Sequence, residues 1–230
     1  MAEEKKSGRL PRAVIVEFDF TVLDGADILF DVARKRLAEC GIELTAKLEA
    51  LHLANGNCQG AIKELFDRFG KKHDPAKTAR ELMDAFRAAL TERLPEAIPD
   101  GFKAFVKALG AKGLKTVIAT RADLEALRPA LAEFDSEMVL AYSEPSMTYG
   151  NCKWDAWRRA ARANGLHEIL TVAVTGSGYG VKSALIAGLP AIAVVNDHVA
   201  YQDFGGADVV VKAFSAGLAD DVMRMLHLED

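Results

Sequence analysis

An α/β fold with a mainly parallel sheet follows from three features of the sequence. Short, continuous apolar runs recur at Ala13-Val-Ile-Val, Thr116-Val-Ile-Ala, Leu170-Thr-Val-Ala-Val, Ala191-Ile-Ala-Val-Val and Asp208-Val-Val-Val, with a weaker one at Met138-Val-Leu-Ala. Runs of this length without alternation are typical of strands buried on both faces. Amphipathic helical patterns separate most of them, and strands alternating with helices imply right-handed βαβ units with helices on both faces of the sheet. The third feature is a break in that rhythm. From about Asp27 to Leu94 the chain carries helical patterns and no convincing strand, which predicts an all-helical insertion.

The elements can be justified in order. Ala13 to Val16 runs into the polar segment Glu17-Phe-Asp-Phe-Thr, so the first strand ends in a loop with two acidic residues. The insertion contains helical patterns at Leu29 to Leu37, Leu44 to Leu53, Ala61 to Phe69 and Ala79 to Leu90, and Pro95 and Pro99 mark its end. Phe102, Phe105, Val106 and Leu109 then fall at i, i+3, i+4 and i+7, with Asp100 placed to cap the helix and Gly110 and Gly113 to stop it. Further helices are expected at Asp123 to Phe134, Lys153 to Asn164, Val181 to Ala187 and Gly217 to Leu226. Pro129 should kink or shorten the first of these, and Gly165 and Gly188 should close the middle two.

Composition narrows the function classes. Half of the 230 residues are hydrophobic and 27% are charged, the balance of a globular protein. No apolar run reaches the roughly 18 residues that a membrane span needs, and the polar N-terminus lacks the apolar stretch of a secretory signal. Cys40, Cys58 and Cys152 show no CxxC spacing, which fits a reducing cytoplasm better than a disulfide framework. A formal charge of −4 and no basic stripe argue against a nucleic-acid partner. Any phosphate site must rely on local positive groups.

The chemistry-bearing residues gather where strands end. Glu17-Phe18-Asp19-Phe20-Thr21 follows the first strand, and Thr120-Arg121 follows the second. Lys153 opens a helix, and Thr175-Gly176-Ser177-Gly178-Tyr179-Gly180 follows the strand ending at Val174. With Ile98-Pro-Asp-Gly and Gln202-Asp-Phe-Gly-Gly-Ala-Asp, this series resembles the four motifs of the haloacid dehalogenase superfamily, in particular its phosphoglycolate-phosphatase-like members with a C1 helical cap. The likeness covers nearly the whole chain. It implies a Rossmann-like three-layer α/β core over residues 1–26 and 95–230, with a cap over residues 27–94.

The resemblance also implies roles. In the family, the first motif I carboxylate attacks phosphorus and the second acts as general acid and base. A motif II hydroxyl and a motif III lysine hold the phosphoryl oxygens, and motif IV carboxylates help to hold Mg²⁺. Carried over, Glu17 and Asp19 become the catalytic pair, and Thr120 and Lys153 the phosphate-binding pair. Glu17, Asp19 and the Thr175, Gly176 and Ser177 turn are the remaining candidates for metal.

Three departures predict impaired chemistry. Glu17 stands where the family has aspartate, and the extra methylene moves the carboxylate by roughly 1.5 Å, when about 1 Å can cost on the order of a hundredfold in rate. Thr175 and Gly176 stand where carboxylates normally lie, so Mg²⁺ should be held weakly if at all. Phe20 replaces a small glycine beside the phosphate position. The expected function is a phosphatase-branch protein with impaired or lost hydrolysis that binds a small phosphorylated metabolite, another anion or a partner. The alternative is a working phosphatase using Glu17 and Asp19, with metal-independent dehalogenation as a third reading. On this scheme Glu17→Asp alone should not restore activity, and Gly176→Asp should restore metal binding better.

Each residue also has a plainer reading. Thr120 would serve equally as a cap for the turn that follows it, Lys153 as a solvated lysine, and Arg121 as a surface residue. Trp154 and Trp157, three apart, suggest one packed helical face. The spaced glycines would form either a tight turn or an anion cradle on backbone amides.

Overall fold

The computed structural model of the protein describes residues 11–53, 57–94, 98–143 and 154–227. Six parallel strands form one sheet: β1 (Ala13–Glu17), β2 (Lys115–Thr120), β3 (Val139–Ser143), β4 (Thr171–Thr175), β5 (Ala191–Val194) and β6 (Val209–Val211). Their order is β3-β2-β1-β4-β5-β6. The strand sequence reverses direction at β1, so β1 and its neighbours bound the crevice where α/β sheets of this kind place their sites. All six expected strands are present, the weak one included.

The two faces of β1 are packed differently because its side chains alternate. Ala13 and Ile15 join Ala119, Ala173, Ala191 and Ala193 on a face lined with small residues. These let α8 (Trp154–Ala163) and α9 (Gly178–Ala187) lie close to the sheet. Trp157 is buried there and donates from Nε1 to Ser183 Oγ at 2.9 Å. Val14 and Val16 face the larger cluster, where Phe102 of α6 (Asp100–Ala111) packs against Phe214 at 4.9 Å and Phe18 at 6.0 Å. The helix α10 (Leu218–Met225) covers the same face through Leu218, Ala219 and Val222.

Between β1 and α6 the regular elements among the described residues are all helical: α1 (Phe18–Thr21), α2 (Gly25–Glu39), α3 (Ala46–Leu48) continuing as a π-helical turn over Glu49–Leu53, α4 (Cys58–Arg68) and α5 (Pro75–Arg93). Their starts are set locally by side-chain acceptors. Thr45 accepts from Leu48 N, Asn57 from Gly60 N, and Asp74 from Ala76 N and Lys77 N ahead of Pro75. The buried residues Leu37, Ile62, Phe66, Leu82, Phe86 and Leu90 belong to the same apolar cluster as Val14 and Val16 of the sheet. The insertion therefore packs against one face of the core.

Several boundaries differ from expectation for identifiable reasons. Asp100 is the first helical residue, and Pro99 holds the cap position without a side-chain bond. The helix after β2, α7 (Leu124–Leu131), contains Pro129 and stops before Phe134. The helix α9 starts at Gly178, three residues earlier than the apolar pattern implied, because Ser177 caps it by accepting from Gly180 N at 3.0 Å. Gly188 closes it at φ 84°, in the left-handed region. Among the described residues, no helix is long and apolar enough to cross a membrane.

Candidate active site

Strand register brings the predicted residues together. Glu17 is level with Ala119 on β2, so Thr120 ends that strand one step beyond it. On the other side Val16 is level with Val174, and continuing that register puts Glu17 beside Thr175. Asp19 lies in the short helix α1, which is tied back to the strand by Thr21 Oγ1 donating to Glu17 O at 2.8 Å. Glu17, Asp19, Thr120 and Thr175 are all 0% exposed.

Two buried carboxylates need a cation or protons to offset the cost of removing them from water. The structure supplies the cation as Arg121, which was expected at the surface and is instead only 4% exposed. Its NH1 donates to Asp19 Oδ2 at 2.8 Å, and its NH2 to Glu17 Oε1 at 3.2 Å. Its backbone N–H also donates to Asp19 Oδ2, at 2.9 Å. The Phe20 ring lies over the guanidinium, 4.9 Å from its carbon, and packs against Phe86 of α5 at 6.0 Å. Phe20 thus roofs the ion cluster instead of merely crowding a phosphate.

The hydroxyls complete the cluster. Thr120 Oγ1 donates to Asp19 Oδ1 at 2.5 Å and accepts from Ala122 N at 3.0 Å, so it both caps the turn and anchors the carboxylate. Thr175 Oγ1 donates to Glu17 Oε2 at 2.5 Å. Burial pushes the Glu17 carboxyl above the usual carboxylate range, against the pull of Arg121 and the Thr175 hydrogen bond, while the Asp19 charge pushes it further up. Glu17 accordingly holds its proton more readily than an exposed carboxylate does, in an assembly where two carboxylates share one guanidinium.

The turn after β4 is committed elsewhere. Gly176 carries no side chain, and a Cβ there would lie 2.0 Å from Phe20 O. That overturns the expectation that Gly176→Asp would rebuild a metal ligand. Ser177 caps α9, and Gly178 N donates to Gln202 Oε1 at 2.9 Å, while a Cβ at Gly178 would meet Asp203 O at 2.2 Å. These glycines serve a tight turn whose amides at Gly178 and Gly180 are already bonded within the chain. Lys153 lies outside the described residues.

The fold family implies Mg²⁺, and the residues present do not fit it. Among the described residues, no group of three or more His, Cys, Asp or Glu side chains could hold a metal ion. The Thr175 hydroxyl proton points at Glu17, and both motif I carboxylates are engaged by Arg121. A site for a hydrated dication needs several free oxygen ligands in near-octahedral geometry, and this cluster instead presents a fixed guanidinium. A cavity of about 320 Å³ opens beside Phe20, lined also by Leu23, Asp24, Asn196, Lys212 and Phe214.

Arg121 was the member of this buried cluster that the sequence reading placed at the surface. One signal could have found it: two acidic residues at a buried strand end with the metal ligands missing require a cation nearby, and Arg121 directly follows Thr120.

No curated protein matches the chain. Solved structures do, at identities that speak to fold alone. CbbY from Rhodobacter sphaeroides, in complex with phosphate, aligns with TM-score 0.67 and 18% identity over 90% of this chain and 96% of its own. The β-phosphoglucomutase of Clostridium difficile aligns at 0.67 and 13% identity over 95% and 98%. A family IA, variant 3 hydrolase from Entamoeba histolytica aligns at 0.69 and 18% identity over 94% and 99%. With the strand order, the site at the β1 switch point and a family match spanning residues 14–194, the chain belongs to the haloacid dehalogenase-like hydrolase family.

Proposed function

We propose that this protein keeps the family's fold and has lost Mg²⁺-dependent phosphoester hydrolysis, leaving a role in binding. One observation carries the reading: the Arg121 guanidinium is locked between Glu17 and Asp19, the two carboxylates that hydrolysis would require. A carboxylate held by a guanidinium is a poor nucleophile, because attack must first break a charge-assisted hydrogen bond in a buried site. The same contact deprives Asp19 of a proton-transfer role. Residues 27–94 then act as a C1-type cap over a core of residues 1–26 and 95–230, and the free, buried thiols Cys40 and Cys58 accord with a cytoplasmic setting.

The ligand class we assign is a small phosphorylated metabolite or another small anion, in keeping with the phosphate held by CbbY. It would lie outside the Glu17 and Asp19 cluster, in the cavity that Lys212 borders. The test combines turnover and binding. Purified protein with Mg²⁺ should hydrolyse an aryl phosphate only at background rate, with Glu17→Asp no better, and calorimetry should detect inorganic phosphate weakened by Lys212→Ala. Mg²⁺-dependent turnover that Glu17→Gln abolishes would overturn the reading in favour of an active phosphatase.

A further inference from the structure

A histidine sits between two further carboxylates, Asp27 and Glu49. His198 lies in a short 3-10 turn after β5, at Asp197–Val199, where Asn196 accepts from Val199 N. Its Nδ1 is 2.9 Å from Asp27 Oδ1 on α2. Its Nε2 is 3.2 and 3.1 Å from the two oxygens of Glu49, which opens the π-helical turn. The Phe30 ring, also on α2, packs beside the imidazole at 5.5 Å. Both acidic partners belong to the helical insertion, and the histidine belongs to the sheet's own loops.

We propose that His198 is a proton-operated latch, fastening α2 and the π-helical turn to the core when charged and releasing them when neutral. The geometry demands it. A neutral imidazole has one N–H and one bare lone pair, yet here each ring nitrogen faces a carboxylate. Only the imidazolium can donate to both. On deprotonation, one carboxylate must face a lone pair, and that contact turns from attractive to repulsive.

The surrounding groups favour the charged form. The Glu49 hydrogen bond raises the His198 pKa above the ordinary value, burial opposes this, and the Glu49 and Asp27 charges add to the rise. Tyr201, on the following turn, feels the Glu49 charge, and burial raises its own pKa. On the histidine's own turn Asp197 points outward to Lys212 at 3.8 Å, both being almost fully exposed. For a histidine with a raised folded-state pKa, stabilisation is fully present below the unfolded value of about 6.5 and is lost as pH rises through the folded value. The latch therefore closes toward acid and opens toward alkali. A cleft of about 250 Å³ adjoins it, with Ala50 of the π-helical turn on one wall and Tyr179, Lys182, Tyr201 and Gln202 of the core on the other, so the latch also sets that cleft's width.

Hydrogen exchange across Gly25–Leu53, corrected for the intrinsic pH dependence of exchange, tests the idea on the whole chain. Wild-type protection there should fall several-fold between pH 6 and pH 9, while that of β1 and β4 stays unchanged. His198→Gln should show the loose, alkaline behaviour at both pH values. The same pH response in His198→Gln as in wild type would overturn the proposal, as would no response in either. If that variant fails to fold, NMR titration of the His198 imidazole in wild type and in Glu49→Gln decides the matter. The wild-type midpoint should lie above that of a free histidine and drop in Glu49→Gln. A midpoint that stays put would overturn the latch.

Discussion

Arg121 and His198 each bridge two carboxylates from different parts of the chain, and they differ in whether the charge can be removed. Arg121 is a permanent cation, and its side chain and both partners are 0% exposed. His198 titrates, its side chain is 16% exposed, and Asp27 on its outer side is 56% exposed. The first arrangement keeps its charge at every physiological pH. The second can hold a moving part, because its strength follows the proton concentration and the salt.

Breaking the permanent bridge should have the largest effect. Arg121→Met leaves Glu17 and Asp19 buried without a cation and should cost about 3–5 kcal/mol of stability, read from chemical denaturation. Arg121→Lys should recover only part of this, since an ammonium cannot span both carboxylates as the planar fork does. Gly176→Asp comes next: a side chain forced against Phe20 O should cost about 1–3 kcal/mol or more, with no Mg²⁺ binding gained by calorimetry.

The two carboxylates should then separate. Asp19→Asn removes the charge and turns one of the two oxygens that together accept three hydrogen bonds into an amide donor, whereas Glu17→Gln removes an anion that burial already disfavours. Glu17→Gln should therefore change stability by no more than about 1 kcal/mol, and Asp19→Asn by clearly more. The sign with pH follows from the raised Glu17 pKa. Its contribution is fully favourable below the ordinary carboxylate value and is lost as pH rises through the folded value, so Glu17→Gln should flatten that decline.

The smallest effect belongs to His198. Because the group is partly solvated, His198→Gln should cost at most about 1 kcal/mol at pH 6 and less at pH 9. Salt should sharpen the contrast. At 1 M ionic strength, where the Debye length is about 3 Å, the His198 contribution should shrink while that of Arg121 persists.

The legibility of these regions in the sequence follows the same divide. Strands such as Ala13–Glu17 could be read because every residue is buried and the first four form an unbroken apolar run. Glu17, Asp19, Thr120 and Thr175 could be placed because residues that end neighbouring parallel strands must meet. Arg121 was hidden because local pattern cannot distinguish a solvated arginine from one drawn inward by two anions more than a hundred residues away. His198 had no local signal, since Glu49 lies 149 residues earlier. Charge balance among buried groups, more than periodicity, would have been needed to find either cation.

The close approach at Gly176 bears on the history open to this chain. A side chain at that position must displace Phe20 O, and Phe20 in turn roofs Arg121 and packs on Phe86. A carboxylate at position 176 cannot enter by one substitution without disturbing the residue that covers Arg121. Removing Arg121 first leaves two bare anions instead. On the proposed loss of hydrolysis, any return by these two substitutions runs through a less stable intermediate in either order, so the arrangement would act as a ratchet on the descendants of this chain.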